Sequence, residues 1–402
     1  MQSFKEFGLN EKILKNLNFL KFFRPTPIQI QAIKPALQGK DILGSAHTGT
    51  GKTLAFGVPL VQKLMENSVS SALIITPTRE LAVQVNGSLN SLMKNSGIKS
   101  ALIIGGESMG KQYKQLIQNP RIVVGTPGRI HDHLNRKSLK LSRTNFLVLD
   151  ETDRMLDMGF STQIEKIIKF LPKIRQTLLF SATIPRYIKE ISKKYLYKPI
   201  NISVDEKSTI LEKIKHEVIF LNKNEKYEKL IEQIHKRDGS IIVFMKTKYS
   251  SKRTALRLVK HGFSADAIHG DLKQNQRELV LTKFRKKKYK ILVATDIAAR
   301  GLDISHIEHV VNYDLPQKPE DYIHRIGRTA RAGLYGQAIC FVTPSEMKFW
   351  SIIDKLININ SKVDNKIQSE KKSIRKNKKS RIKNFKRKKN TYKKKKIFKK
   401  IS

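Results

Sequence analysis

Apolar residues recur along this chain in short unbroken runs, separated by amphipathic stretches of helical length. Ala72–Ile75, Ala101–Ile104, Ile122–Val124, Phe146–Leu149 and Thr177–Phe180 make one series. Ile241–Phe244, Ala265–Ile268, Ile291–Ala294, His309–Asn312 and Ala338–Val342 make a second. Unbroken rather than alternating runs mark strands covered on both faces, and helical stretches between them make the sheets parallel. The pattern therefore predicts an α/β protein with two doubly wound parallel-sheet domains in tandem. Residues 1–39 read as two short helices around a turn, 40–204 as the first domain and 214–360 as the second. Between the domains, 205–213 is polar and unpatterned, a linker. From 361 to 402 lysine is too dense and apolar residues too few for a core, so a disordered basic tail is expected.

In such sheets ligands collect beyond the strand C-termini, so the residues just after each run are the candidates for chemistry. After Asp41–Ser45 comes Ala46-His47-Thr48-Gly49-Thr50-Gly51-Lys52-Thr53, opening onto a helix. Gly49 and Gly51 let backbone N–H groups turn inward, Lys52 reaches outer phosphates, and the Thr53 hydroxyl suits Mg²⁺. The generic phosphate cradle begins with Gly where this one has Ala46, and a Gly-rich turn beside a chance lysine is the plain alternative. After Leu147–Leu149 come Asp150, an acidic partner for Mg²⁺, and Glu151, placed to orient and deprotonate water. That pair favours hydrolysis over binding alone.

Other strand ends carry Pro77-Thr78-Arg79-Glu80, Thr126-Pro127-Gly128-Arg129, Ser181-Ala182-Thr183, His269-Gly270-Asp271, Thr295-Asp296 and Arg300-Gly301-Leu302-Asp303. Upstream, two prolines stiffen the loop Phe22–Pro27 before Gln29, whose amide matches the N6/N7 edge of adenine. By themselves these residues read as a turn and a helix start rather than as an adenine reader. Helical spacing in His324–Arg331 predicts Arg325, Arg328 and Arg331 close to one face. They form either a basic helix facing RNA or solvent, or arginine fingers reaching a nucleotide in the other domain.

Composition narrows the partners. The 402 residues carry a net charge of +45, with 79 Lys+Arg against 34 Asp+Glu, a field that recruits polyanions. Scattered apolar residues in the tail offer no amphipathic face for a membrane, and no apolar run approaches the roughly 18 residues a span needs. One cysteine, Cys340, excludes an internal disulfide and suits a reducing compartment. The first residues lack the order of a signal peptide, so the cytoplasm is expected.

Taken together and in this order, the motifs resemble those of DEAD-box RNA helicases, most closely the bacterial RhlE-type group, over about residues 3 to 345. Phe22 and Gln29, with Phe4 upstream, match the adenine-reading motif; Ala46–Thr53 matches the family's own P-loop, where Ala is normal. Asp150–Asp153 is the name-giving motif, with Thr152 where Ala is usual; His47 replaces a common Gln, and Lys21 a usual Gly. The resemblance implies two RecA-like domains. ATP would be bound by Phe22, Gln29, Ala46–Thr53 (Ala46, His47, Thr48, Gly49, Thr50, Gly51, Lys52, Thr53) and Asp303, and Mg²⁺ by Thr53 and Asp150, partly through water. Glu151, Asp150, Lys52, Arg328, Arg331 and His324 would be catalytic, and Asp153, Ser181 and Thr183 would couple hydrolysis to domain movement. RNA backbone would be gripped by Pro77, Thr78, Arg79, Gly106, Thr126, Gly128 and Arg129 of one domain and Gly270, Gln274, Arg277 and Thr295 of the other. The implied activity is RNA-dependent ATP hydrolysis with local, non-processive unwinding of short duplexes. A monomer acting on ribosomal particles or in RNA decay is expected. A passive RNA chaperone and a DNA translocase are the competing readings.

Overall fold

The computed structural model describes residues 3–46, 49–204, 213–299, 304, 306–330 and 335–357. Residues 205–212 of the expected linker and the tail from 361 lie outside them, as do His47, Thr48, Asp303 and Arg331.

The first sheet has seven strands: β1 (Ile42–Ser45), β2 (Ser71–Ile75), β3 (Ser100–Ile103), β4 (Ile122–Gly125), β5 (Thr144–Leu149), β6 (Gln176–Ser181) and β7 (Ile200–Ser203). All pairings are parallel, in the order β3-β4-β2-β5-β6-β1-β7. Ile42, Ile74, Val124, Val148, Leu178 and Phe180 enter the core on one face. Leu43, Leu73, Val123, Leu147 and Leu179, one residue out of phase, enter the core on the other. Two buried faces explain why these strands read as unbroken apolar runs, each side chain contributing about 1.5–3 kcal/mol on burial.

A second parallel sheet holds β8 (Ile214–Phe220), β9 (Ser240–Met245), β10 (Ala265–Ile268), β11 (Ile291–Thr295), β12 (Ile307–Asn312) and β13 (Gly336–Val342), ordered β10-β11-β9-β12-β13-β8. It too has a core on each face.

The strand pattern of the sequence did not reveal β7 and β8. Both are edge strands with one neighbour: three of the four β7 residues are exposed, and β8 (Ile-Lys-His-Glu-Val-Ile-Phe) buries only its first residue fully. An edge strand need not be apolar throughout, so it leaves no continuous run to detect.

The N-terminal region contains a short 3₁₀ turn (Phe4–Phe7) and helices Glu11–Phe19 and Pro27–Leu37. Lys21, which follows the first helix, adopts φ 62°, a left-handed conformation costing a side-chain-bearing residue roughly 1–2 kcal/mol. This is the physical reason glycine suits the position. Lys21→Gly is expected to be neutral or to raise stability by up to about 1 kcal/mol, measured by urea unfolding.

The arginine arrangement expected over residues 324–331 needs correction. The helix Pro319–Ile326 stops there, with Gly327 as C-cap and Ala330 at φ 57°, so helical spacing does not extend to Arg328. Arg325 turns into its own domain. Its Nε and Nη2 donate to Asp296 Oδ1 and Oδ2 at 2.6 and 2.7 Å, and Nη1 donates to Asn312 Oδ1 and the Asp314 carbonyl. Its guanidinium also lies 5.0 Å from the Phe244 ring centroid. Arg325→Ala strands Asp296 and is expected to cost the second domain about 3 kcal/mol, seen as a lowered denaturant midpoint rather than a selective loss of chemistry.

Candidate active site

One strand in from the β7 edge of the first sheet, β1 delivers the chain through Gly49 (φ 91°) and Gly51 (φ 94°) to Lys52, the first residue of helix Lys52–Glu66. A Cβ at Gly51 would collide with the Gln29 amide, so this turn requires glycine for space as well as for φ. Lys52 Nζ donates to the Ala46 carbonyl at 2.7 Å, folding back over the loop it serves.

Gln29 sits third in its helix in a capping box with Thr26. Thr26 N donates to Gln29 Oε1 (2.9 Å), Gln29 Nε2 donates to the Gly51 carbonyl (3.0 Å), and Thr26 Oγ1 donates to the Thr50 carbonyl (2.8 Å). A carboxamide has two donor protons and two acceptor lone pairs. One of each ties the loop to the phosphate cradle, and the others match adenine N7 and N6. Phe22, Gln29, Gly49, Gly51, Lys52, Thr53, Asp150 and Glu151 line a single cavity of about 780 Å³, within the range for nucleotide-sized ligands. Gln29→Ala is expected to erode discrimination of ATP against GTP by roughly tenfold or more, read as the ratio of the two kcat/KM values.

Asp150 and Glu151 follow β5 side by side, both buried, yet their electrostatics diverge. Burial pushes the Asp150 carboxyl up to about 6; Lys52 opposes this and the Glu151 charge adds to it. Burial also works against the Glu151 carboxylate, but Arg154, Lys52, Arg328 and His324 together hold it below its ordinary value. Asp150 Oδ1 is buried and has no hydrogen-bond partner among the described residues. An orphaned anionic oxygen beside a P-loop threonine fits a hard divalent cation such as Mg²⁺. Glu151 adopts φ 52°, ψ 50°, strain of order 1–3 kcal/mol of the kind that clusters at functional sites. Arg154, one helical turn on and almost fully buried, donates from Nη1 to Glu151 Oε2 at 2.9 Å.

Asp153 reaches across to the end of β6. Its Oδ2 accepts from Ala182 N (3.1 Å), Thr183 N (3.1 Å) and Thr183 Oγ1 (3.3 Å), while Ser181 Oγ donates to the Thr183 carbonyl (2.6 Å). Strand ends β5 and β6 are thereby joined by one carboxylate.

A second cavity, of about 460 Å³, is lined from both domains by Pro77, Thr78, Arg79, Thr126, Gly128, Arg129, Gly270 and Arg277, with Glu80. Thr78 and Thr126 are the N-caps of helices Arg79–Leu92 and Pro127–Asn135, so two helix N-termini border it, suited to phosphate. Arg79 packs over Gly105 and Gly106; a Cβ at Gly106 would collide with its guanidinium, and one at Gly105 would crowd it. Gly106, Gln274 and Thr295 stand outside this lining. Arg277 and Gln274, expected to grip the RNA backbone, also hold partners within the protein. Arg277 Nε pairs with Glu80 of the other domain at 2.6 Å, and its Nη1 and Nη2 donate to the His269 and Ala298 carbonyls. Gln274 is buried and donates to Glu278. In this arrangement Arg277 forms part of the wall, while Gln274 stands outside it.

Sequence reasoning missed Arg154 and Glu80 as members of the site. It also missed Gln112 and His133, both fully buried. Gln112 donates to the Ile104 carbonyl (2.8 Å), next to Gly105-Gly106, and its Oε1 lies 3.1 Å from His133 Nε2. This brace joins the glycine pair to the helix that presents Gly128 and Arg129. Only the helical offset of Arg154 from Glu151 left any trace in the sequence.

Fold and site together define a P-loop ATPase whose nucleotide cleft and an adjoining phosphate-suited cavity lie between two α/β domains. The DEAD/DEAH box helicase model matches residues 26–191, and the helicase conserved C-terminal domain model matches residues 223–333. The ATP-dependent RNA helicase CshA of Listeria monocytogenes is 47% identical over 88% of this chain and 69% of that protein. The CshA of Bacillus subtilis is 43% identical over 88% and 72%. Among solved structures, S. cerevisiae Dbp5 bound to RNA and ADP BeF3 superposes with a TM-score of 0.81 at 33% identity, covering 89% of this chain and 94% of that one. Mss116p bound to ssRNA and AMP-PNP gives 0.80 at 30% identity, covering 88% and 77%. The chain belongs to the DEAD-box family of ATP-dependent RNA helicases.

Proposed function

We propose that this helicase couples ATP hydrolysis to closure of its two domains on an RNA backbone, unwinding short duplexes locally and without processive tracking. The observation that carries this reading is the charge environment of Glu151. Arg154 and Lys52 act on it from its own domain, Arg328 and His324 from the other, so the ionised base is supported fully only with the two halves together. Magnesium, held by Asp150 and Thr53, would neutralise charge on the β- and γ-phosphates. Lys52 orients the phosphates, Glu151 takes the proton from water, and Gln29 reads the base. The second cavity presents helix N-termini and arginines to phosphate, which supports backbone binding without base sequence.

Asp303 on the ribose and Arg331 beside Arg328 complete the reading by family resemblance. A monomer in the cytoplasm, acting on ribosomal particles or RNA-decay substrates, is the setting we propose. The name CshA on the relatives supports a CshA-type placement over the RhlE-type one. The test is ATPase stimulation by matched RNA and DNA oligonucleotides. Strong stimulation by RNA alone is expected; equal stimulation by both would favour a DNA translocase, and RNA binding without stimulation a passive chaperone.

A further inference from the structure

Helix Lys248–Lys260 follows β9 and carries five cations, Lys248, Lys252, Arg253, Arg257 and Lys260, with no acidic residue. Ser251, Thr254, Ala255 and Leu258 face the core. The outer face is unusual for a merely solvated one: Tyr249 is 72% exposed, Leu256 56% and Val259 51%, interleaved with the cations. Among the described residues only Lys248 of the five forms an ion pair, with Asp271 Oδ1 at 2.8 Å. Asp271 follows Gly270, which lines the interdomain cavity. Lys252, one turn further on, bears electrostatically on both His269 and Asp271. The basic face thus begins at the rim of the phosphate-suited cavity and runs about 20 Å away from it along the helix.

We propose that the outer face of Lys248–Lys260 is an RNA-binding track that continues the interdomain cavity, holding strand that extends beyond the core site. Lys252 and Arg253 contact phosphates. Tyr249, four residues from Arg253 and on the same face, provides a platform on which a base stacks, a sequence-tolerant interaction. Continuity with the cavity and an excess of positive charge over the single carboxylate partner Asp271 favour RNA over an acidic protein segment as the occupant. This inference rests on the RNA-binding reading of the cavity.

The test compares two oligouridylates on the full chain with a non-hydrolysable ATP analogue: one that fills only the interdomain cavity, and one extending well past it. Lys252→Glu with Arg253→Glu is expected to weaken the long RNA by roughly tenfold and flatten its log–log salt slope by about 1.4, two phosphates at about 0.7 each. Tyr249→Ala should weaken the long RNA by a similar factor. Binding of the short RNA, and ATPase at saturating short RNA, should stay within about twofold, which also reports that the variants are folded. Equal weakening of both lengths, or no change in either, overturns the track alone. Loss of capture of an acidic protein with unchanged RNA binding assigns the face to that partner instead. Failure of both RNAs to bind the wild-type chain overturns the track together with the reading beneath it.

Discussion

Glu151→Gln is expected to slow RNA-stimulated ATP hydrolysis by on the order of 10³-fold while leaving ATP and RNA binding intact. The substitution is isosteric. Its remaining carbonyl oxygen can still accept from Arg154, which now donates to Oε2 at 2.9 Å, and Asp150, the proposed metal ligand, is untouched. What disappears is an acceptor for the proton of the attacking water. In the proposed cycle hydrolysis resets the closed arrangement, so the variant should accumulate as a closed complex that releases RNA slowly in the presence of ATP. Single-turnover hydrolysis beside RNA dissociation kinetics checks both halves. Wild-type turnover would remove Glu151 from the chemistry, and rapid RNA release despite arrested hydrolysis would separate closure from the nucleotide.

Arg328→Ala should cost about 10³–10⁵ in turnover, the range for an arginine supplied to a transferring phosphoryl group, with a much smaller change in ATP affinity. Arg328 is 3% exposed, in the turn that ends helix Pro319–Ile326, and its charge acts on Glu151 across the cleft. Arg325, three residues earlier, provides the control. It is equally buried but committed to Asp296 and Asn312, so its loss should lower stability and not the barrier. Steady-state kinetics with denaturant midpoints on both variants distinguishes them. A destabilised Arg328→Ala that turned over normally would mean the two arginines had been assigned the wrong way round.

The divergence of these two arginines shows where sequence reasoning stops. The residues most legible in the chain are those whose chemistry depends on local backbone: glycines at φ 91° and 94° in the cradle, and Asp150-Glu151 at the end of an unbroken apolar strand. The central strands were equally plain, because burial on both faces leaves no polar position in Leu147–Leu149. Edge strands β7 and β8 had no such constraint. Helical spacing carried Arg325, Arg328 and Arg331 onto one face only while the helix continued, and it ends at Ile326. The Arg277–Glu80 pair and the Gln112–His133 brace join residues distant in sequence. Buried polar partners of that kind are chosen by tertiary packing, and neither periodicity nor spacing announces them.

One ATPase site shared by two domains should make them close on ATP and RNA together. The most direct measurement is a thermodynamic cycle: affinity for a non-hydrolysable ATP analogue with and without saturating single-stranded RNA, and affinity for that RNA with and without saturating analogue. Linkage requires the two ratios to be equal. A factor of roughly 5–150 is expected in each direction, abolished in both by Arg328→Ala. Nucleotide affinity indifferent to RNA, with RNA affinity indifferent to nucleotide, would contradict joint closure.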